Sequence, residues 1–219
     1  MTQQMNKIMM DEVFFISAIK HEIFSRIFST IRHDIVGNVS ATLIRLSIIE
    51  RILKNQELDV EKIKSEVQKL DHQLRVSIID IRELSFWDFP TSQADFTGVV
   101  LQKSILLIAS QLALKGIHLH LQEQQHDDVI KVDSKSLMYS LLCLFCYIED
   151  NDFDNFKFNI FNTVDSIVMT YEPMPEQHQP TIIHNRNICI DKEIATQFIS
   201  LNKVSIDFSD KCITLKCIN

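Results

Sequence analysis

Residues 24–53 read FSRIFSTIRHDIVGNVSATLIRLSIIERIL, and the way this run winds decides the fold. At about 100° per residue, Phe24, Ile27, Phe28, Ile31, Ile35, Val39, Leu46, Ile49 and Leu53 fall on one broad face. The spacing predicts a single long amphipathic helix over 12–54. A polar link, KNQELD (54–59), follows, and Asp59 is placed to cap the next helix. Over 60–87, Ile63, Val67, Leu70, Leu74, Ile78, Ile81 and Leu84 recur at steps of three and four, a coiled-coil-like seam. Two long helices on a short link make an antiparallel hairpin. One hairpin cannot bury both apolar faces. Two hairpins from two copies can, as a four-helix bundle, so a homodimer is expected.

At SFWDFPTSQAD (85–95) the periodicity breaks around Pro90, which marks a domain boundary. Beyond it the pattern changes class. A helix is expected over 97–115, closing at Lys115-Gly116, then short strands at IHLHLQ (117–122) and DVIKVD (128–133). A helix from Ser134 to about Tyr147 leads to strands at FKFNIFN (156–162) and SIVMTYE (166–172). After a Pro/His/Asn-rich loop at 173–187 come a helix at 191–202 and two strands, KVSIDF (203–208) and CITLKCI (212–218). The expected class is α+β: a helical hairpin domain over 1–89 and a sheet with helices on one side over 95–219.

Composition closes off several functions. Of 219 residues, 46% are hydrophobic and 23% charged, the balance of a globular protein. A net charge of -7 argues against nucleic-acid binding, which needs clustered Lys and Arg. No run approaches the roughly 18 apolar residues of a membrane span, and MTQQMNKIMMDEVFF lacks the pattern of a signal peptide. A cytoplasmic protein is expected. The odd count of 5 cysteines fits a reducing compartment. Cys143 and Cys146 sit inside the apolar run LLCLFCYI and read as buried thiols rather than a redox or metal pair. The 3 glycines, Gly37, Gly98 and Gly116, are far apart, so no phosphate-cradling loop can be built.

His33 stands out among the titratable side chains. It lies about 200° from both Ile31 and Ile35, opposite the core stripe. Arg26, Ser29, Gly37, Ser40, Ser47 and Arg51 fall within roughly 40° of it on the same strip. Gly37 costs the helix about 1 kcal/mol relative to Ala. A strip of small residues beside an exposed imidazole lets a second protein's backbone come close to the ring. Arg32 is placed to offset phosphoryl charge, and Asp34 to orient the imidazole or accept its proton. The competing reading is an ordinary surface histidine. His118 and His120 alternate on one strand with His126 nearby, but two ligands without a clear third read as a solvated strand. His178 and His184 read as polar loop residues.

The segment IRHDIVGNVSATL (31–43) resembles the phosphoacceptor-histidine motif of two-component histidine kinases, and more closely that of ChpT-type histidine phosphotransferases. LSFWDF (84–89) resembles the end of their second dimerisation helix, and FTGVVLQKSILLIASQLALKGIHLHL (96–121) the opening of the kinase ATP-binding domain. VDSKSLMYSLLCLFCYIED (132–150) is similar to that domain's Asp-x-x-x-Leu helix, and IATQFISLNKVSIDFSDKCITLKC (194–217) to its last helix and hairpin. The departures matter as much. Cys143 and Tyr147 stand where active kinases carry two asparagines, one of them binding Mg²⁺. EPMPEQHQPTIIHNRN (172–187) has no glycine where they carry two glycine boxes and a lid, and Gly37 and Asn38 replace the usual Ser/Thr/Asn and Pro.

The resemblance implies a histidine-kinase-type ATPase sandwich that has lost nucleotide binding. It further implies a phosphotransferase in which His33 takes a phosphoryl group from one receiver-domain Asp and gives it to another. The partners would be response-regulator receiver domains and an upstream hybrid histidine kinase. The chain would need no cofactor, because the receiver supplies Mg²⁺. The alternative is a non-catalytic adaptor or kinase inhibitor built on the same bundle.

Overall fold

The strand FKFNIFN alternates inward Phe158 and Ile160 with outward Lys157, Asn159 and Phe161, and that alternation seeds the sheet. In a computed structural model, which describes residues 2–54, 59–84, 97–122, 133–151, 153–163, 166–175 and 188–217, this run is β2 (Phe156–Asn162). The other elements in chain order are α1 (Thr2–Leu53), α2 (Val60–Leu84), α3 (Thr97–Ala113), β1 (His118–Leu121) and α4 (Ser134–Asp150). After β2 come β3 (Ser166–Pro173), α5 (Lys192–Leu201), β4 (Val204–Ser209) and β5 (Cys212–Cys217). The α+β reading holds. The strand expected at DVIKVD and the boundary at 85–95 lie outside the described residues, except for Asp133.

Two compact units divide the chain, one made of Met1–Ile27 with Phe89–Asn219, the other of Phe28–Asp88. The division differs from the expected 1–89 and 95–219, because the first part of α1 belongs with the sheet. The helix also begins ten residues before the expected Glu12, at Thr2.

In the sheet unit the strand order is β1-β2-β3-β5-β4. β1 runs parallel to β2, and every other pair is antiparallel. Ile160 pairs with Met169 and Met169 with Ile213, so one face gathers Phe158, Ile160, Ile167, Met169, Ile213 and Leu215, all buried. α4 packs between α3 and α5 and reaches β4. It is buried nearly all round, as its unbroken LLCLFCYI requires. Its N-cap is Asp133, which accepts from the Ser136 N–H at 3.2 Å, and Asp191 caps α5 at 2.8 Å from the Ile194 N–H. Gly116 turns the chain from α3 into β1 at φ +70°.

The hairpin unit joins the rest of α1 to α2. Asp59 caps α2 as expected, its carboxylate 3.0 Å from the Lys62 N–H. Arg45 ties the two helices together, donating to Gln73 Oε1 at 2.8 Å and Glu66 Oε2 at 2.9 Å, while Lys69 reaches Glu66 Oε1 at 2.7 Å. Lys69 and then Arg45 hold the Glu66 carboxyl below its ordinary range. The expected core stripe is only partly covered in one chain. Ile31 is buried, but Phe28, Val39, Leu46, Leu53, Val67, Leu74, Ile78 and Ile81 keep 39% to 54% of their surface exposed. Among the described residues no helix is long and apolar enough to cross a membrane.

Candidate functional site

α1 exposes His33 and Arg32, and with them Ser29, Gly37, Ser40, Ser47 and Arg51. The Ser40 hydroxyl donates back to the Val36 carbonyl at 2.8 Å, and that of Ser47 to the Leu43 carbonyl at 3.1 Å. Folded back in this way, the serines leave the strip low in relief beside the imidazole. A Cβ on Gly37 would meet no atom within 4 Å, so packing within the chain does not demand a glycine there. The Asp34 backbone is helical; its side chain lies outside the described residues.

Arg26 corrects the helical-wheel reading. Placed by angle on the exposed strip, it is buried, with 7% of its surface accessible. Its Nη1 and Nη2 grip Asp150 Oδ1 and Oδ2 at 2.9 Å each, and its Nε donates to Glu22 Oε1 at 2.8 Å. Nη1 also meets Glu149 Oε2 at 3.4 Å, and Nη2 donates to the Ile188 carbonyl. Gln111 donates to Glu149 Oε2 at 2.7 Å. Burial works against the Arg26 charge, but the bond to Asp150 and the other anionic contacts outweigh it and raise its pKa above the usual arginine value. The Glu22–Arg26 pair is legible as an i, i+4 step. The partners 123 and 124 residues away are not.

On α4, Cys143 and Cys146 are fully buried, as expected, and burial pushes both thiols upward, so they stay protonated. The Tyr147 ring packs edge-on against Phe208 at 5.2 Å and Phe153 at 6.2 Å. Aromatic side chains therefore fill the surroundings of a position where the resemblance calls for an asparagine. His118 and His120 are exposed on β1. His126, His178 and His184 lie outside the described residues, as does most of the 172–187 segment. Among the described residues no three His, Cys, Asp or Glu side chains gather to hold a metal.

No protein-family model and no curated protein matches the chain. Similar solved structures include the cytoplasmic segment of histidine kinase QseC, at 11% identity over 68% of this chain and 94% of that one, TM-score 0.40. The Acinetobacter baumannii histidine kinase AdeS is similar at 16% identity over 85% of this chain and 97% of that one, TM-score 0.36. Histidine kinase ThkA in complex with response regulator TrrA is similar at 14% identity over 90% of this chain and 61% of that one, TM-score 0.34.

Proposed function

We propose that this chain is a histidine phosphotransferase of a two-component phosphorelay, with His33 as the phosphoryl carrier. The observation that carries the reading is an exposed imidazole on a helix face kept low by Ser29, Gly37, Ser40 and Ser47, where packing within the chain does not demand the glycine. A His33 ring nitrogen attacks the aspartyl phosphate of a receiver domain. A P–N bond forms as the acyl-phosphate P–O bond breaks, and the receiver's Asp leaves as carboxylate. The imidazole proton passes to Asp34 or to water, and Arg32 offsets the charge of the transferring group. The reverse reaction delivers the phosphoryl group to a second receiver. Mg²⁺ enters with the receiver, and the upstream donor is a hybrid histidine kinase acting through its own receiver.

The working form is a homodimer. The half-exposed seam from Phe28 to Ile81 supports this, because a second hairpin would cover it as a four-helix bundle. The sheet unit serves as a docking surface and binds no ATP. Tyr147 packed against Phe208 and Phe153, and Cys143 buried at the other asparagine position, support that part.

The test is to incubate the full chain with a radiolabelled phospho-receiver and Mg²⁺. Label should appear on this chain in an acid-labile, base-stable bond and then move to a second receiver. If receivers bind but no label transfers, the protein is an adaptor.

A further inference from the structure

Ile19, Ile23 and Ile27 recur every four residues along α1 and are buried within the sheet unit. Glu22 and Arg26 stand between them on the same turns. Arg26 makes two kinds of attachment at once, to Asp150 at the end of α4 and to the backbone carbonyl of Ile188. Asp150 is equally double, gripping Arg26 and accepting from the Ile190 N–H at 2.7 Å. Asn151 adds a bond from its amide to the Ile190 carbonyl at 3.1 Å. The carboxylates of Glu22, Glu149 and Asp150 have side-chain exposures of 3%, 1% and 0%, and one guanidinium serves all three. Water cannot take over those contacts while the nest stays closed. The α1 segment and the 188–190 segment thus hang from shared anchors.

We propose that these residues form a two-ended clasp, in which the N-terminal part of α1 and the 188–190 segment open together or not at all. Closed, the clasp holds α1 where Ile19, Ile23 and Ile27 are buried, and leaves Cys189 exposed between two anchored neighbours. Open, it frees the isoleucine stripe and the 188–190 backbone in one step, a conformational device that shows a partner both features or neither. Charge sets it: the bonds that tie the segment leading into α5 to α1 run through Arg26 and Asp150.

Hydrogen–deuterium exchange of the full chain tests this. Arg26→Met keeps an apolar stem and removes the charge. In the wild type, peptides covering 16–27 and those covering 188–194 should share one opening free energy, and in the variant both should exchange about tenfold faster or more while β2 and β3 are unchanged. Acceleration of one segment alone, or of neither, overturns the clasp. Should Arg26→Met loosen the whole unit, so that β2 and β3 speed up as well, Arg26→Lys decides. Lysine keeps the charge but loses the fork that grips Asp150. Both segments must still exchange faster than in the wild type, with β2 and β3 at the wild-type rate. A split response, no response, or one shared with the sheet overturns the proposal.

Discussion

Arg26 and Asp150, 124 residues apart in the chain, meet in a bidentate pair with both N–O distances at 2.9 Å, and their side chains are 5% and 0% exposed. Removing one member of such a pair leaves an uncompensated buried charge, which costs about 3–5 kcal/mol. Arg26→Ala should therefore weaken the anchoring of α1 and of the 188–190 segment by that order, read from the hydrogen exchange of peptides 16–27 and 188–194 in the full chain. Arg26→Met combined with Asp150→Leu should cost less than the sum of the two single changes, since the pair then disappears together. A single-variant loss below about 1 kcal/mol would mean that the nest is hydrated and the pair weak.

Local signals carried far along this chain. FKFNIFN and KVSIDF are legible from alternation, and the cap at Asp59 from side-chain type. Arg26 was not. A helical wheel gives an angle, and at that angle Ser29 and Gly37 are exposed while Arg26 is buried. The difference arises because α1 passes from one compact unit to the other after Ile27, and no helical period records which residues cover a given turn. The core stripe failed in a related way. Val39, Leu46 and Leu74 have the spacing of core residues yet remain half-exposed, and theirs is the surface that the proposed second copy would cover.

The glycines separate sharply once their surroundings are known. A Cβ at Gly116 would run into Asn155 Oδ1 and lie 3.4 Å from its Cα, at φ +70°. Gly116→Ala should cost about 1–3 kcal/mol. Gly37→Ala, in an open stretch of helix, should gain about 1 kcal/mol. Opposite shifts of the thermal midpoint check the pair.

Acid should weaken the hairpin through Glu66. Its bonds to Lys69 and then Arg45 depress its carboxyl below the ordinary value of 4.5. A depressed carboxyl stabilises the fold above its unfolded-state pKa, and that contribution disappears as pH falls through the lower folded value. The stability gap between wild type and Glu66→Gln should be full at pH 7 and above about 4.5, and close below it. Urea midpoints measured from pH 7 to pH 3 read it directly. A gap that does not change with pH would assign the effect of Glu66→Gln to shape rather than charge.

The site assignment rests on separating chemistry from folding at His33. The imidazole is exposed, so His33→Ala should leave stability within about 0.5 kcal/mol of wild type. Label transfer from a phospho-receiver should vanish in the same variant. His33→Gln keeps a polar side chain without a nitrogen that accepts phosphoryl, and should be equally inactive. Gly37→Leu examines the approach path: leucine favours the helix over glycine and meets no neighbour at its Cβ, so the variant should be at least as stable as wild type. Its isobutyl group would stand on the strip beside the ring, and transfer should fall while receivers not yet docked remain unaffected. Receiver binding and full regulation retained by His33→Ala would make the protein an adaptor. Label persisting on that variant would move the carrier elsewhere, and His72, exposed on α2, is the next imidazole to replace.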